Sequence, residues 1–312
     1  MTQKSAPLIL ILGVFAVSTA AIFIRFAQGE VPSLTVAAYR LTLASLLIAP
    51  FVLRQSTRRA ELRALTRRDL LLALLAGTFL ALHFAAWITS LEKTSVASSV
   101  VLVTTTPLWV ALISPLALRE SVGRGAALGL LLALGGGIIV GLSEACQWDA
   151  AGLQCSGLSA LWGGETFAGN FLALFGAWMA AAYLTIGRSV RVRLSLWSYA
   201  LLVYGMAAVV LLLLALVTGA PLSGFSPNIW LWLFLLALVP QVIGHSAFNW
   251  ALAYLPASFV AVTLLGEPIG SSILAYFLLR ETPSGLELLG AILILAGIYI
   301  VSTQPTPRNT PA

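Results

Sequence analysis

Glu267 stands in the stretch LGEPIGSSILAYFLLRE, an apolar run that carries one carboxylate beside Pro268. Thr263, Glu267 and Ser271 recur every four residues, which places them on one helical face. A carboxylate there can hold an ammonium group, exchange a proton, or accept hydrogen bonds from donors that a proline kink frees. His83 with Trp87, and His245 with Asn249, repeat the i, i+4 spacing in two other apolar runs. An imidazole titrates near neutrality and can carry protons, but a histidine satisfied within a core has the same spacing. Arg40, in AAYRLTLASLL, can bind a carboxylate or fix packing through backbone carbonyls. The sequence has no HExxH, no Cys/His cluster and no carboxylate array, so neither a metal site nor a cofactor is expected.

Composition decides which elements position these residues. Of the 312 residues, 60% are hydrophobic and 9% charged, against about 25% charged in a soluble domain. A bilayer core about 30 Å thick takes roughly 20 apolar residues per helix. Ten such runs are predicted, at about 7–28, 32–53, 70–90, 94–117, 125–142, 167–187, 196–217, 228–254, 257–279 and 285–302. In lipid every backbone group must be satisfied internally, so an all-α integral membrane protein of ten transmembrane helices is expected. The alternating segments of about ten residues that build membrane barrels are absent. The first run is too long to be a removed signal peptide and lacks a cleavage site.

Basic residues set the orientation. With a cytoplasmic N-terminus, 13 of the 17 Lys and Arg fall on the cytoplasmic side, among them Arg54, Arg58, Arg59, Arg63, Arg67 and Arg68. Both termini are therefore expected in the cytoplasm, and the expected location is a bacterial inner membrane. The net charge of +6 is a topology and lipid-surface signal, and nucleic acid is not an expected partner. Cys146 and Cys155 fall in the long non-cytoplasmic connection, where an oxidising compartment admits a small disulfide loop and spacing alone equally admits two free thiols.

The chain repeats itself. His83-Phe-Ala-Ala-Trp87 answers to His245-Ser-Ala-Phe-Asn-Trp250, Pro107 to Pro268, and Arg119-Glu120 to Arg280-Glu281, each followed by a Gly-rich helix. Each unit holds five spans, and five is odd, so the second enters the membrane from the opposite side. The expected organisation is a first repeat over 1–142, a periplasmic connection over 143–166, an inverted second repeat over 167–303 and a cytoplasmic tail over 304–312. Inverted repeats suit secondary transport, because the same two packings applied to either half open the site to opposite sides.

The proline-x₁₁-Arg-Glu ends, the Gly-rich closing helices and the AAYRLTLASLL stretch resemble the drug/metabolite transporter superfamily, in particular its ten-helix EamA-type exporters. Among these the chain is most similar to exporters of aromatic and other neutral amino acids. The resemblance covers roughly residues 7–303 and implies alternating access around a central pocket. One departure stands out: Thr106 precedes Pro107 where the second half has Glu267 before Pro268.

Further pocket candidates follow from position. Asn170, Trp178 and Tyr183 lie in the sixth span, and Thr106 and Trp109 in the fourth. With Trp87, Thr263 and Ser271 they make a mostly aromatic cage with few polar groups, which suits an amphipathic small molecule. Pro107, Gly266, Pro268 and Gly270 are the expected bending points, and Arg40 is assigned first to structure. Gly137/Gly141 and Gly266/Gly270 have the spacing for close helix contact, within the chain or in a homodimer, although a monomer is sufficient. The expected function is amino-acid export. The alternatives are multidrug or other metabolite efflux, lipid scrambling, and an intramembrane enzyme, for which no nucleophile motif is present. The G-x-x-x-x-G-K-[ST] phosphate loop is missing, which excludes direct ATP drive.

Overall fold

The structure, a computed structural model, describes residues 6–94, 96–118, 123–142, 146–149, 152–155, 164–279 and 285–302. Each of the apolar runs read from the sequence is helical. Seven helical stretches are long and apolar enough to cross a membrane: Leu8–Gln28, Ser33–Leu53, Arg67–Lys93, Phe167–Arg191, Leu196–Val217, Pro227–Ala251 and Ala257–Leu278. Shorter apolar helices cover Thr106–Ala117, Ala127–Ile139 and Leu288–Gly297. Large apolar side chains such as Leu116, Val217, Phe277 and Tyr299 face outward, which suits lipid and would be costly in water.

Several stretches are interrupted, and each interruption has a local cause. The first divides into α1 (Ala6–Ser18) and α2 (Ala20–Gln28). Ser18 Oγ donates to Val14 O and Thr19 Oγ1 to Ala16 O, so hydroxyls compete with backbone donors at the break. After α3 (Ser33–Leu53), the surface helix α4 (Ser56–Arg63) and α5 (Arg67–Lys93) comes a second broken stretch, α6 (Val96–Val103) and α7 (Thr106–Ala117). Pro107 stands second in α7, in the first turn, where a residue without an N–H costs no ladder bond.

α8 (Arg124–Leu142), α9 (Gly164–Arg191) and α10 (Leu196–Val217) follow. The next stretch runs α11 (Pro227–Leu236), a π-helical segment at Ala237–His245 around Pro240, and α12 (Ser246–Ala251). Proline removes a ladder bond, and the wider turn absorbs the fault. α13 (Ala257–Thr263) then passes through a 3₁₀ turn at Leu264–Gly266 into α14 (Glu267–Leu279), where Pro268 stands second. α15 (Gly285–Ser302) is the last helix.

Between α8 and α9 the described residues add a two-stranded antiparallel ribbon, β1 (Cys146–Asp149) and β2 (Gly152–Cys155), with Cys146 directly opposite Cys155. Cys146 is disulfide-bonded, and no described cysteine is free. Gly152 has φ 103°, a conformation that side chains disfavour. The two Arg-Glu motifs, at 119–120 and 280–281, lie outside the described residues.

The helices pair in a regular way. α3 lies on α10, α5 on α9, α8 on α15, and the first broken stretch on α11, the π segment and α12. α8 and α15 approach so closely that a Cβ at Gly136 would lie 2.5 Å from Gly290 O. Carboxylates fasten the ends. At one end Glu61 accepts from the backbone N–H of Ser195 at 2.6 Å and from the Ser198 hydroxyl at 2.6 Å, while Arg193 Nη2 meets Asp69 Oδ1 at 2.6 Å. At the other, Glu30 accepts from Ser226 N–H at 3.0 Å and Glu92 from Ser33 N–H at 2.9 Å. In both the Ser195 and Ser226 ties the carboxylate satisfies a donor at a helix start.

Candidate functional site

Three of the interrupted stretches and three unbroken helices, α3, α5 and α9, line a cavity of about 50 Å³. α3 brings Arg40 to it, and α5 brings His83 and Trp87. Thr104, Thr106 and Pro107 arrive at the break between α6 and α7, Tyr183 on α9, His245 and Phe248 beside the π segment, and Glu267 at the start of α14. Such a space holds a few waters or one small polar group and is smaller than an aromatic amino acid.

Arg40 is fully buried. Its Nε donates to Gln241 Oε1 at 2.8 Å, and the guanidinium lies 4.0 Å from the Phe84 ring centroid. Nη1 and Nη2 have no hydrogen-bond partner among the described residues. Arg40 and Glu267 thus bring a guanidinium and a carboxyl group to the same cavity, and among the described residues no ion pair joins them.

His83 Nδ1 lies 2.9 Å from Gly176 O. A carbonyl only accepts, so in this geometry Nδ1 carries the proton. The ring stacks on Trp87 at 5.9 Å with 15° between planes. Trp87 Nε1 has no partner among the described residues. Phe84 joins these residues together: its ring is 5.3 Å from His245, edge-on, and 4.7 Å from His83.

Seven residues chosen from the sequence as pocket or hinge meet at this cavity: His83, Trp87, Thr106, Pro107, Tyr183, His245 and Glu267. Others lie behind it. Asn249 is buried and reaches the cavity only through Tyr183, whose hydroxyl donates to Asn249 Oδ1 at 2.6 Å; Asn249 Nδ2 in turn donates to Tyr204 at 3.2 Å. Trp109 and Trp178 pair edge-to-face at 5.4 Å, and Trp109 Nε1 donates to Thr105 Oγ1 at 3.2 Å. Asn170 accepts from Thr94 at 2.9 Å, toward the end of α5.

On the face read as Thr263, Glu267 and Ser271, only Glu267 lines the cavity. Thr263 Oγ1 turns back to Val260 O at 2.6 Å, and Ser271 Oγ donates to Ser18 O at 3.0 Å, at the break of the first stretch. Gly266 and Gly270 face α1: a Cβ on Gly266 would lie 2.8 Å from Val14 Cγ1, and one on Gly270 2.6 Å from Ser18 Cβ. These glycines seat one helix on another. Thr106 Oγ1 donates to Val103 O at 2.7 Å and closes the carbonyl left at the α6–α7 break.

Phe84, Phe248 and Gln241 have central positions that sequence reasoning passed over. Gln241 carried a signal, since it is an uncharged polar residue beside Pro240 within an apolar run. Phe84 follows His83 directly but has nothing to distinguish it from other apolar residues in its helix.

Comparison with known proteins agrees with this architecture. Two proteins of Archaeoglobus fulgidus, both described as uncharacterised transporters, are similar to the chain almost end to end. One is 26% identical over 294 residues, covering 93% of this chain and 94% of its own length. The other is 23% identical over 284 residues, covering 91% and 92%. An uncharacterised transporter of Synechocystis sp. is 36% identical over 77 residues, 24% of this chain and 22% of the relative. A crystal structure superposes with a TM-score of 0.75 at 17% identity, covering 96% of this chain and 97% of that one, and shares the fold. The model of the EamA-like transporter family matches twice, at residues 4–142 and 167–303. With both matches together spanning most of the sequence, this multi-pass chain of apolar helices around a small polar cavity belongs to the EamA-like transporter family, within the drug/metabolite transporter superfamily.

Proposed function

We propose that the protein exports small amphipathic zwitterions, aromatic and other neutral amino acids foremost, by alternating access between two inverted five-helix repeats. The observation that carries the cargo class is the cavity itself: one cation, Arg40, and one carboxylate, Glu267, among the aromatic rings of Trp87, Tyr183 and Phe248. Charges of both signs suit a zwitterion, and aromatic walls suit its apolar part. A nucleotide sugar would call for several cations, whereas the cavity has one.

In this reading ten spans form repeats over 1–142 and 167–303, joined by the connection at 143–166 and followed by the tail at 304–312. The double family match supports it. So does the mirrored pairing of helices, in which second lies on seventh, fifth on tenth, third on sixth and first on eighth. The fourth and ninth stretches are both broken just before a proline, at Pro107 and Pro268, and serve as the hinges. Both termini are cytoplasmic in a bacterial inner membrane, which puts the Cys146–Cys155 ribbon on the oxidising side. One chain suffices for transport.

Counterflow of labelled phenylalanine in liposomes tests the proposal, with unlabelled tryptophan, threonine, glutamate and a cationic dye as competitors, with and without a pH gradient. Saturable counterflow displaced by tryptophan and threonine is expected, and the gradient decides proton coupling. Displacement by the dye alone, or no uptake above empty liposomes, refutes amino-acid export.

A further inference from the structure

We propose that Arg40, with the indole N–H of Trp87, is the carboxylate-binding site of the cargo. This deepens the amino-acid reading and rests on it only for the identity of the molecule that carries the carboxylate. Two nitrogens of a fully buried guanidinium, Nη1 and Nη2, lack hydrogen-bond partners, and Arg40 lines the central cavity. Trp87 lines the same cavity and its Nε1 is also unpartnered. An unpaired buried charge is costly, so such an arrangement points to an acceptor that arrives from outside.

The rest of the guanidinium is already committed. Gln241 Oε1 accepts from Nε and the Phe84 ring lies against the cation, so the group is held in a fixed orientation. What remains is the end-on Nη1–Nη2 edge, which matches the two oxygens of a carboxylate as a parallel pair of charge-assisted hydrogen bonds. Glu267 is the carboxylate that shares the cavity. It lines the cavity without forming an ion pair to Arg40 and is left to receive the cargo's ammonium. The cavity volume of about 50 Å³ accommodates a carboxylate-sized group. The apolar remainder of the cargo requires the broken helices to part.

The experiment uses purified full-length protein and four probes: phenylalanine, phenylalaninamide, phenylpropionate and phenylpropionamide. Ligand-induced thermal stabilisation is measured for wild type, Arg40→Gln and Trp87→Phe, alongside phenylalanine counterflow. Wild type is expected to prefer each acid over its amide. Arg40→Gln should lose roughly 10- to 100-fold in acid affinity, the scale of a charge-assisted hydrogen bond, while amide binding barely changes. Trp87→Phe keeps an aromatic ring without the N–H and should lose about 3- to 10-fold for the acids alone.

Equal binding of acid and amide by wild type overturns the proposal, as does an acid preference that survives in folded Arg40→Gln. Should Arg40→Gln fail to fold, an unchanged preference in Trp87→Phe overturns it. The two readings fail separately. Phenylalanine counterflow without acid preference removes the Arg40 site and leaves amino-acid export standing. An Arg40-dependent preference for phenylpropionate without phenylalanine counterflow keeps the carboxylate site and refutes the amino-acid cargo.

Discussion

Gly270→Ala separates two reasons for a glycine beside Glu267. The residue faces Ser18 at the end of α1, where an added Cβ would lie 2.6 Å from Ser18 Cβ and closer still to Ser18 Oγ, against 3.4 Å or more in ordinary contact. Ser18 cannot turn aside cheaply: its Cβ moves only with the backbone, and its hydroxyl donates to Val14 O at 2.7 Å. Overpacking of this size costs about 1–3 kcal/mol, and alanine's better helix propensity returns about 0.5–1 kcal/mol. At the middle of both ranges the net loss is about 1 kcal/mol, or an apparent melting temperature lower by about 2 °C in detergent. Ser18→Gly removes both offending atoms, so the double variant should recover most of the loss relative to Ser18→Gly alone. Ser18→Ala leaves Cβ in place and should recover only part. Counterflow should follow the same order, because α14 carries Glu267 into the cavity. If Gly270→Ala melts with wild type yet transports poorly, the seating argument is wrong and the glycine serves bending instead.

Further perturbations address other parts of the molecule. Burial raises the Glu61 carboxyl, but hydrogen bonds from Ser195 and Ser198, with Arg191 nearby, outweigh it and hold the group below its usual range. A depressed carboxylate adds stability that is full above its unfolded value and lost as pH falls through the folded one. Wild type should therefore lose melting temperature on acidification below about pH 4.5, and Glu61→Gln should show a shallower decline. Asn249→Ala leaves the buried Tyr183 and Tyr204 hydroxyls short of a partner and should cost about 1–3 kcal/mol by thermal melting. Maleimide should label no thiol in the oxidised protein and two per chain after reduction and unfolding; labelling before reduction would refute the bonded ribbon.

How legible the fold was depended on which force fixed each feature. The helical stretches follow from the solvent, since a run such as Leu196–Val217 has no other stable form in lipid. The breaks before Pro107 and Pro268 follow from the missing N–H, and the repeat made them visible twice. The break at Thr19 was not legible, because hydroxyl competition at Ser18 and Thr19 looks in sequence like any polar pair inside a span. The π segment had a visible cause in Pro240, but a proline does not say whether a helix will kink, end or widen.

The lining of the candidate cavity was readable in part by residue type and unreadable by atom. His83, His245 and Glu267 stood out because charge and imidazole are expensive in lipid, and all three line the cavity. Asn249, Asn170 and Ser271 were equally polar, yet each has a partner within the protein and none lines the cavity. Arg40 shows where the distinction lies. Its Nε is spent on the side chain of Gln241, not on the backbone carbonyls expected from the sequence, while Nη1 and Nη2 remain unpartnered among the described residues, which is what a ligand needs. The two roles excluded each other only while the arginine was treated as one group. Divided among its nitrogens, the same side chain is fixed by one atom and left receptive by two, and the fixed atom is what gives the receptive pair a direction.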